Sequence, residues 1–222
     1  MKRLLVVIVL FCGLGWPTLK AQDYLYEVGM GMGLSSAYGD INSGRLFYKP
    51  DFQIEGHFRY QYNLRWAFVG EFSTAGLRGD SKDFDNVFPD NAHLYFKSRL
   101  WQLIGRTEFN FFNYGIGPSY KDIKAFTPFI SLGVGLGGVS GDGNGQFSFS
   151  IPIGVGLKYR LTQRWGLDIR MDFAKMFTDN VDNINDPYDI VSNSTKNTDW
   201  YSTLQIGVSY QFGERKVDCI SR

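Results

Sequence analysis

The sequence predicts an all-β protein, an eight-stranded antiparallel up-and-down transmembrane β-barrel with a charged, side-chain-filled lumen. Hydrophobic residues alternate with small or polar ones along eight segments; in the last, Leu204, Ile206 and Val208 alternate with Gln205 and Gly207. This period of two is typical of strands with one apolar face. Because glycines stand where a packed core needs bulk, the apolar face is expected to meet lipid, which strands span only as a closed barrel.

Composition supports this prediction. Aromatic residues make up 17% of the 222 residues and there are 26 glycines, a mixture expected of interfacial belts and a crowded lumen. The mean hydropathy is −0.19, and no segment beyond the amino-terminal apolar run approaches the ~20 apolar residues of a membrane helix. Since 23 Lys and Arg balance 22 Asp and Glu, nothing favours a nucleic-acid partner.

The amino terminus resembles a secretory signal peptide. Lys2 and Arg3 precede an apolar run at residues 4–14, and the small residue Ala21 precedes Gln22. The predicted organisation is a signal peptide at 1–21, an outer-membrane barrel at 22–213 and a periplasmic tail at 214–222.

The first four strands are each justified by a period of two. They are expected at about 24–34, 52–62, 66–79 and 95–112. In the first, Val28 and Met30 face lipid while Glu27 and Gly29 face the lumen, where glycine leaves space for larger neighbours. The next three place aromatic side chains outward and Glu, Arg and Gln inward.

The last four strands follow the same rule. They are expected at 126–138, at 147–161, from 165 onward, and at 200–212. Pro152 falls on the lumen-facing set, so a bulge or a missing ladder bond is expected there. Outer-membrane barrels alternate short periplasmic turns with long external loops. The tight turns at 63–65 and 162–164 therefore predict that both termini are periplasmic.

The lumen-facing positions carry charges of both signs. Besides Glu27, they are Glu55, Arg59, Glu71, Arg106, Glu108, Lys158, Arg160, Asp168, Arg170 and Asp172. Acids and bases on the sixth and seventh strands are expected to pair across the ladder, because buried charges need partners. We interpret the set as a plug of salt bridges; an ion or proton pathway is the alternative.

Catalytic, metal-binding and cofactor-binding sites are not predicted. His57 falls in the lumen pattern and His93 in an external loop, and neither has the spacing of a nucleophile–base pair. No Cys/His cluster has the spacing of a metal site. The chain is therefore expected to be non-enzymatic and to carry no cofactor.

Two features are candidates for contacts with partners. Cys219 lies past the last strand, so it either forms an intermolecular disulfide in the oxidising periplasm or is an unused residue of a loose tail. The connection at 113–125 either forms a docking surface or belongs to strands that project beyond the membrane. Its candidate contact residues are Tyr114, Tyr120, Lys121, Asp122 and Lys124.

Several motifs resemble those of the PorG-like outer-membrane barrels of Bacteroidota, over essentially the whole chain beyond the leader. They are Ala21-Gln22, Tyr38-Gly39-Asp40, the hairpin Gly156-Leu157-Lys158-Tyr159-Arg160-Leu161 into Arg164-Trp165-Gly166-Leu167, Thr178-Asp179, Val181-Asp182, Asp199-Trp200-Tyr201, and the tail with Lys216 and Cys219.

The resemblance implies a non-enzymatic component of the type IX secretion system. In that family the barrel associates with a periplasmic ring built from the lipoprotein PorK and from PorN, and the outer-membrane lipid is its other partner. The alternative function is a stand-alone small outer-membrane barrel for surface adhesion, ligand binding or minor diffusion.

Overall fold

Eight antiparallel strands close into a single barrel in the computed structural model, as the sequence predicts. The structure describes residues 24–38, 49–80, 95–115, 122–140, 145–177 and 200–214. The strands are β1 (Tyr24–Tyr38), β2 (Asp51–Gln61), β3 (Trp66–Asp80), β4 (Tyr95–Asn110), β5 (Phe126–Ser140), β6 (Gly145–Arg160), β7 (Trp165–Met176) and β8 (Trp200–Glu214). The predicted signal peptide, Tyr120, Lys121 and Cys219 lie outside the described residues, so the predictions made for them stay predictions.

Each strand pairs with its neighbours in the chain, and β1 pairs with β8 to close the cylinder. That last pairing runs from Tyr24 opposite Glu214 to Tyr38 opposite Trp200. The end of the barrel that carries Tyr24, Glu214 and the turns 62–65 and 161–164 is called the short-turn end below. The connections that follow β1, β3, β5 and β7 leave from the opposite, long-loop end.

The two tight turns share one local design. The Asn63 side-chain oxygen accepts hydrogen bonds from the backbone N–H groups of Arg65 and Trp66, both at 2.8 Å. The Thr162 hydroxyl accepts from the backbone N–H groups two and three residues further on, at 3.4 and 3.2 Å. A short polar side chain that caps its own turn fixes both hairpins at this end.

The outer surface is apolar, as the alternation predicts. Met30, Leu103 and Leu132 are 72%, 64% and 58% exposed, and exposed tryptophans lie near both ends of the barrel. Exposed side chains of this kind along every strand are typical of a lipid-facing belt. Over the described residues, no helix has the length and apolar character needed to cross a membrane.

Pro152 interrupts the pairing of β5 with β6. The register runs from Phe126 opposite Tyr159 to Leu132 opposite Ile153, and resumes unshifted at Gly135 opposite Ser150. Of the two outcomes expected there, the structure therefore has the missing ladder bond, because proline offers no backbone N–H and the unchanged register excludes a bulge.

An apolar layer of buried side chains lies in the lumen near the long-loop end. Its members are the buried side chains Ala37, Ala75, Leu77, Leu100, Val139, Ala174, Met176 and Tyr201. They lie within a few residues of the long-loop ends of their strands. Buried serines such as Ser98 and Ser148 lie at the same level, and the buried charged residues lie nearer the short-turn end.

Candidate functional site

The charged lumen is the candidate functional site. Of the ten residues predicted for it, all except Arg160 are buried in the barrel, together with Glu27 and His57. Arg160 is half-buried at the short-turn end. The strand alternation alone places these side chains inside, since a period of two gives each position only two choices of face.

Arg170 is the centre of the network. Its Nη2 donates to Glu55 Oε2 and to Glu71 Oε2, both at 2.7 Å, and its Nε donates to Asp172 Oδ2 at 2.8 Å. Arg106 shares two of these acids, with Glu71 Oε2 at 2.9 Å and Asp172 Oδ1 at 3.0 Å. Two guanidinium groups therefore hold three carboxylates in a fully buried cluster.

A second cluster lies closer to the short-turn end. Arg59 Nε is 2.8 Å from Glu108 Oε2, and Arg59 also forms an ion pair with Glu27. Lys158 Nζ donates to Glu108 Oε2 at 2.5 Å and to Asn110 Oδ1 at 3.1 Å. Every cation in this cluster has an acid partner, which is the condition under which charges tolerate burial.

The pairing across the β6–β7 ladder that the sequence analysis expected is not what the structure has. Lys158 lies opposite Asp168 in the register, yet its ammonium group bonds Glu108 on β4. Arg170 reaches Glu55 and Glu71 on β2 and β3. Long side chains in an eight-stranded barrel meet across a narrow lumen, so their partners come from distant strands.

Glycines on the lumen face make room for these connections. A Cβ atom on Gly154 would overlap the Asp172 carboxylate and the Ser131 hydroxyl. A Cβ atom on Gly156 would lie 2.5 Å from the Ile169 carbonyl oxygen and 2.6 Å from the Phe129 ring. The glycines predicted to leave space for larger neighbours therefore do so.

Asp168 and His57 complete the polar lumen. Neither Asp168 oxygen accepts a hydrogen bond from the described residues; its register neighbours are Lys158 on β6, whose ammonium group bonds Glu108, and Gly207 on β8. His57 Nδ1 lies 3.3 Å from Glu55 Oε1, and its Nε2 lies 3.9 Å from Glu27 Oε1. Within the part of the chain that the structure describes, no group of three or more His, Cys, Asp and Glu side chains is placed to hold a metal ion.

Tyr114 packs against lumen cations at the short-turn end. Its side chain is buried, with its ring 4.9 Å from the Arg160 guanidinium carbon and 6.0 Å from Lys158 Nζ. Its backbone N–H donates to the Leu64 carbonyl oxygen at 3.1 Å, which ties the connection to the neighbouring turn. Burial raises the pKa of the Tyr114 phenol, so the ring is neutral over the physiological range.

The described candidates for partner contact differ in their exposure. The side chains of Asp122 and Lys124 are 84% and 50% exposed and lie 3.8 Å apart. Tyr114 is not part of that exposed surface, because it packs against the lumen cations. Backbone hydrogen bonds continue past Asn110, from the Phe111 N–H to the Pro128 carbonyl oxygen and from the Lys124 N–H to the Asn113 carbonyl oxygen, so both interpretations of this connection stay predictions.

Sequence reasoning missed the apolar layer and the role of Tyr114. Leu77 and Leu100 continue the lumen-facing series of their strands, so extending each series toward the long-loop end would have found the layer. Tyr114 lies in a connection without periodicity, and no local signal predicts its position.

Several solved outer-membrane proteins are similar in structure. Neisserial surface protein A (NspA) superposes with a TM-score of 0.54 at 15% identity, covering 84% of this chain and 97% of that one. Ail, the attachment invasion locus protein of Yersinia pestis, has a TM-score of 0.46 at 14% identity, with coverages of 86% and 99%. OprG from Pseudomonas aeruginosa has a TM-score of 0.47 at 14% identity, with coverages of 87% and 97%. At these identities the similarity concerns the fold alone.

No curated protein sequence is significantly similar to this chain. A family model does match it, and the match spans residues 2–221, which includes all eight strands of the barrel. With its predicted fold confirmed, the chain belongs to the family described as Domain of unknown function (DUF6089).

Proposed function

We propose that this barrel is a non-enzymatic outer-membrane component of the type IX protein secretion machinery. In this proposal it anchors a periplasmic ring of PorK and PorN type to the outer membrane, with its short-turn end and both termini in the periplasm. The assignment to the secretion system rests on the sequence resemblance. The structural role is supported by the side chains that occupy the lumen.

The observation that carries the structural role is that buried side chains occupy the lumen at several levels in the described part of the barrel. Leu77 and Leu100 belong to the apolar layer near the long-loop end, Arg170 holds buried carboxylates, and Tyr114 packs against cations at the short-turn end. An eight-stranded barrel has an interior just wide enough for side chains to fill, which favours neither diffusion nor an ion pathway. His57 is buried between two glutamates in the lumen, so it is not placed to act as a base at the membrane surface.

The short-turn end offers a surface for the ring. Lys124 and Asp122 are exposed there, and Lys124 Nζ lies 5.0 Å from the centre of the Phe112 ring, which holds the connection close to the barrel. Cys219 is a further contact candidate in the sequence that follows β8. Mixed charge beside exposed aromatic rings is a common composition for the rim of a protein interface.

The test is co-purification of the tagged full-length protein from native membranes after mild detergent extraction. We expect stoichiometric recovery of periplasmic ring proteins, and a reduced yield for Lys124→Glu because the charge at the contact surface is reversed. Lys175→Glu is the matched control, since it reverses a charge near the long-loop end and should leave recovery unchanged.

Recovery of the barrel alone from native membranes would contradict the secretion role and favour a stand-alone surface barrel. The disulfide is tested separately with Cys219→Ser. If this variant leaves both ring recovery and the non-reducing gel pattern unchanged, Cys219 is an unused residue of the tail.

A further inference from the structure

The lipid-facing surface carries an apolar groove between β2 and β6. Its floor is formed by Gly70 on β3 and Gly105 on β4, which lie opposite each other in the register. The groove has a volume of about 800 Å³. Its walls include Phe58, Tyr60 and Phe68 on one side and Leu132, Val134 and Ile151 on the other.

The two floor glycines have no packing reason to be glycine. Nothing lies within 4 Å of the position that a Cβ atom would take on Gly70 or on Gly105. On the lumen face, by contrast, a Cβ atom on Gly156 would overlap its neighbours. Glycine weakens a strand, so two adjacent outward glycines mark a shape in the surface rather than a close approach inside the barrel.

The groove crosses the strands obliquely, so that it extends along the barrel axis from near the short-turn end to the middle of the barrel. Phe58 lies three residues from the short-turn end of β2, Gly105 five from that of β4, and Ile151 nine from that of β6. At ~3.3 Å per residue and a strand tilt of ~40°, this is a rise of about 15 Å. That rise is about half of the ~30 Å hydrocarbon core, the depth of one leaflet.

A cation stands at the short-turn side of the groove. Arg65 is exposed in the turn between β2 and β3, three residues before Phe68 in the groove wall. Its Nε donates to Asn113 Oδ1 at 3.1 Å, which restrains the guanidinium group at the short-turn end of the barrel. Tyr62 and Trp66 flank it with exposed aromatic rings, the residues enriched at the headgroup level of membranes.

We propose that the groove binds one phospholipid of the leaflet at the short-turn end, with an acyl chain over Gly70 and Gly105 and the phosphate at Arg65. The groove is continuous with the lipid-facing belt, so hydrocarbon is its natural occupant. The guanidinium group is complementary to a phosphate in charge and in geometry. The site does not depend on the secretion role.

The experiment titrates the detergent-purified full-length barrel with palmitoyl-oleoyl phosphatidylglycerol and counts bound lipid by native mass spectrometry. We expect one retained lipid for the wild type. The double variant Gly70→Leu/Gly105→Leu fills the groove and should weaken retention by about tenfold or more, because several methylene contacts are lost. Arg65→Gln should weaken it without changing the groove.

Gly56→Leu is the matched control. Gly56 also faces outward, also has open space at its Cβ position, and lies outside the groove, so this variant should retain lipid like the wild type. Heat-modifiable migration on SDS gels establishes that each variant is folded. Equal retention by the double variant, or equal loss in Gly56→Leu, would overturn the proposal. A cross-linked dimer that only the double variant loses would assign the groove to a second copy instead.

Discussion

Replacing Arg170 with methionine should be the most damaging single substitution in the lumen. Methionine keeps much of the volume of the side chain and removes its three ion pairs. Glu71 and Asp172 keep Arg106 as a partner, at 2.9 and 3.0 Å. Among the described ion pairs of this cluster, Glu55 keeps only the one with His57, at 3.3 Å.

The expected loss of stability depends on Glu55, which alone among the three acids is left without a guanidinium partner. One buried carboxylate loses its guanidinium partner, and breaking a buried ion pair from one side costs about 3–5 kcal/mol. The second substitution Glu55→Gln removes the uncompensated charge, so the double variant should recover most of the loss. The remaining deficit should be about 1–2 kcal/mol, the cost of the lost hydrogen bonds.

The assay is reversible urea unfolding of the refolded barrel in detergent micelles, followed by tryptophan fluorescence. Arg78→Met is the control, because the Arg78–Asp51 ion pair at 2.7 Å is partly exposed, with 41% of the Arg78 side chain accessible. Such pairs contribute about 1 kcal/mol or less. If Arg170→Met lowers the free energy of unfolding no more than this control, or if adding Glu55→Gln restores none of the loss, Arg170 does not stabilise the barrel through its ion pairs.

Three further predictions concern the packing and the surface of the barrel. Gly156→Val should prevent folding because its Cβ has no space beside the β7 backbone, whereas Gly56→Val should fold; heat-modifiable migration on SDS gels measures both, and a folded Gly156→Val barrel would refute the steric argument. Leu132→Arg, mid-strand on the lipid face, should destabilise by about 2–4 kcal/mol and Leu161→Arg, in a turn, by about 1 kcal/mol or less. Urea unfolding in lipid vesicles compares the two variants. Equal losses in the free energy of unfolding would contradict the assignment of Leu132 to the hydrocarbon region and of Leu161 to its boundary. The wild-type barrel should give no steady conductance in planar bilayers, because side chains occupy the narrow lumen of an eight-stranded barrel. Sustained single-channel currents would contradict this prediction.

Strand alternation was sufficient to predict which residues face the lumen. Glu71 and Arg106 were assigned inward from parity alone, and both are buried. The ladder gap at Pro152 was also predictable, because the missing N–H is a property of the residue itself. These features are local, so a single sequence contains them.

The partners of the charges were not predictable from the same pattern. Lys158 bonds Glu108 rather than its ladder neighbour Asp168, because the stagger of the strands decides which side chains meet across the lumen. Alternation predicts the face of the sheet on which each residue lies, but it does not predict how neighbouring strands are shifted relative to one another. The groove was hidden for the same reason, since Gly70 and Gly105 become neighbours only once the register of β3 and β4 is known.

The filled lumen and the structured outer surface have a common consequence for where function can lie. A network in which Arg170 and Arg106 share their acids makes the barrel interior rigid and closed. Tyr114 contacts Arg160 at the short-turn end and donates its backbone N–H to the Leu64 carbonyl oxygen, so the described residues beside β4 are attached to the barrel. A barrel with paired lumen charges, the proposed contact surface at one end and the proposed lipid groove on its side would be suited to holding other molecules in place. These properties favour an anchoring role over a transport role for the barrel itself.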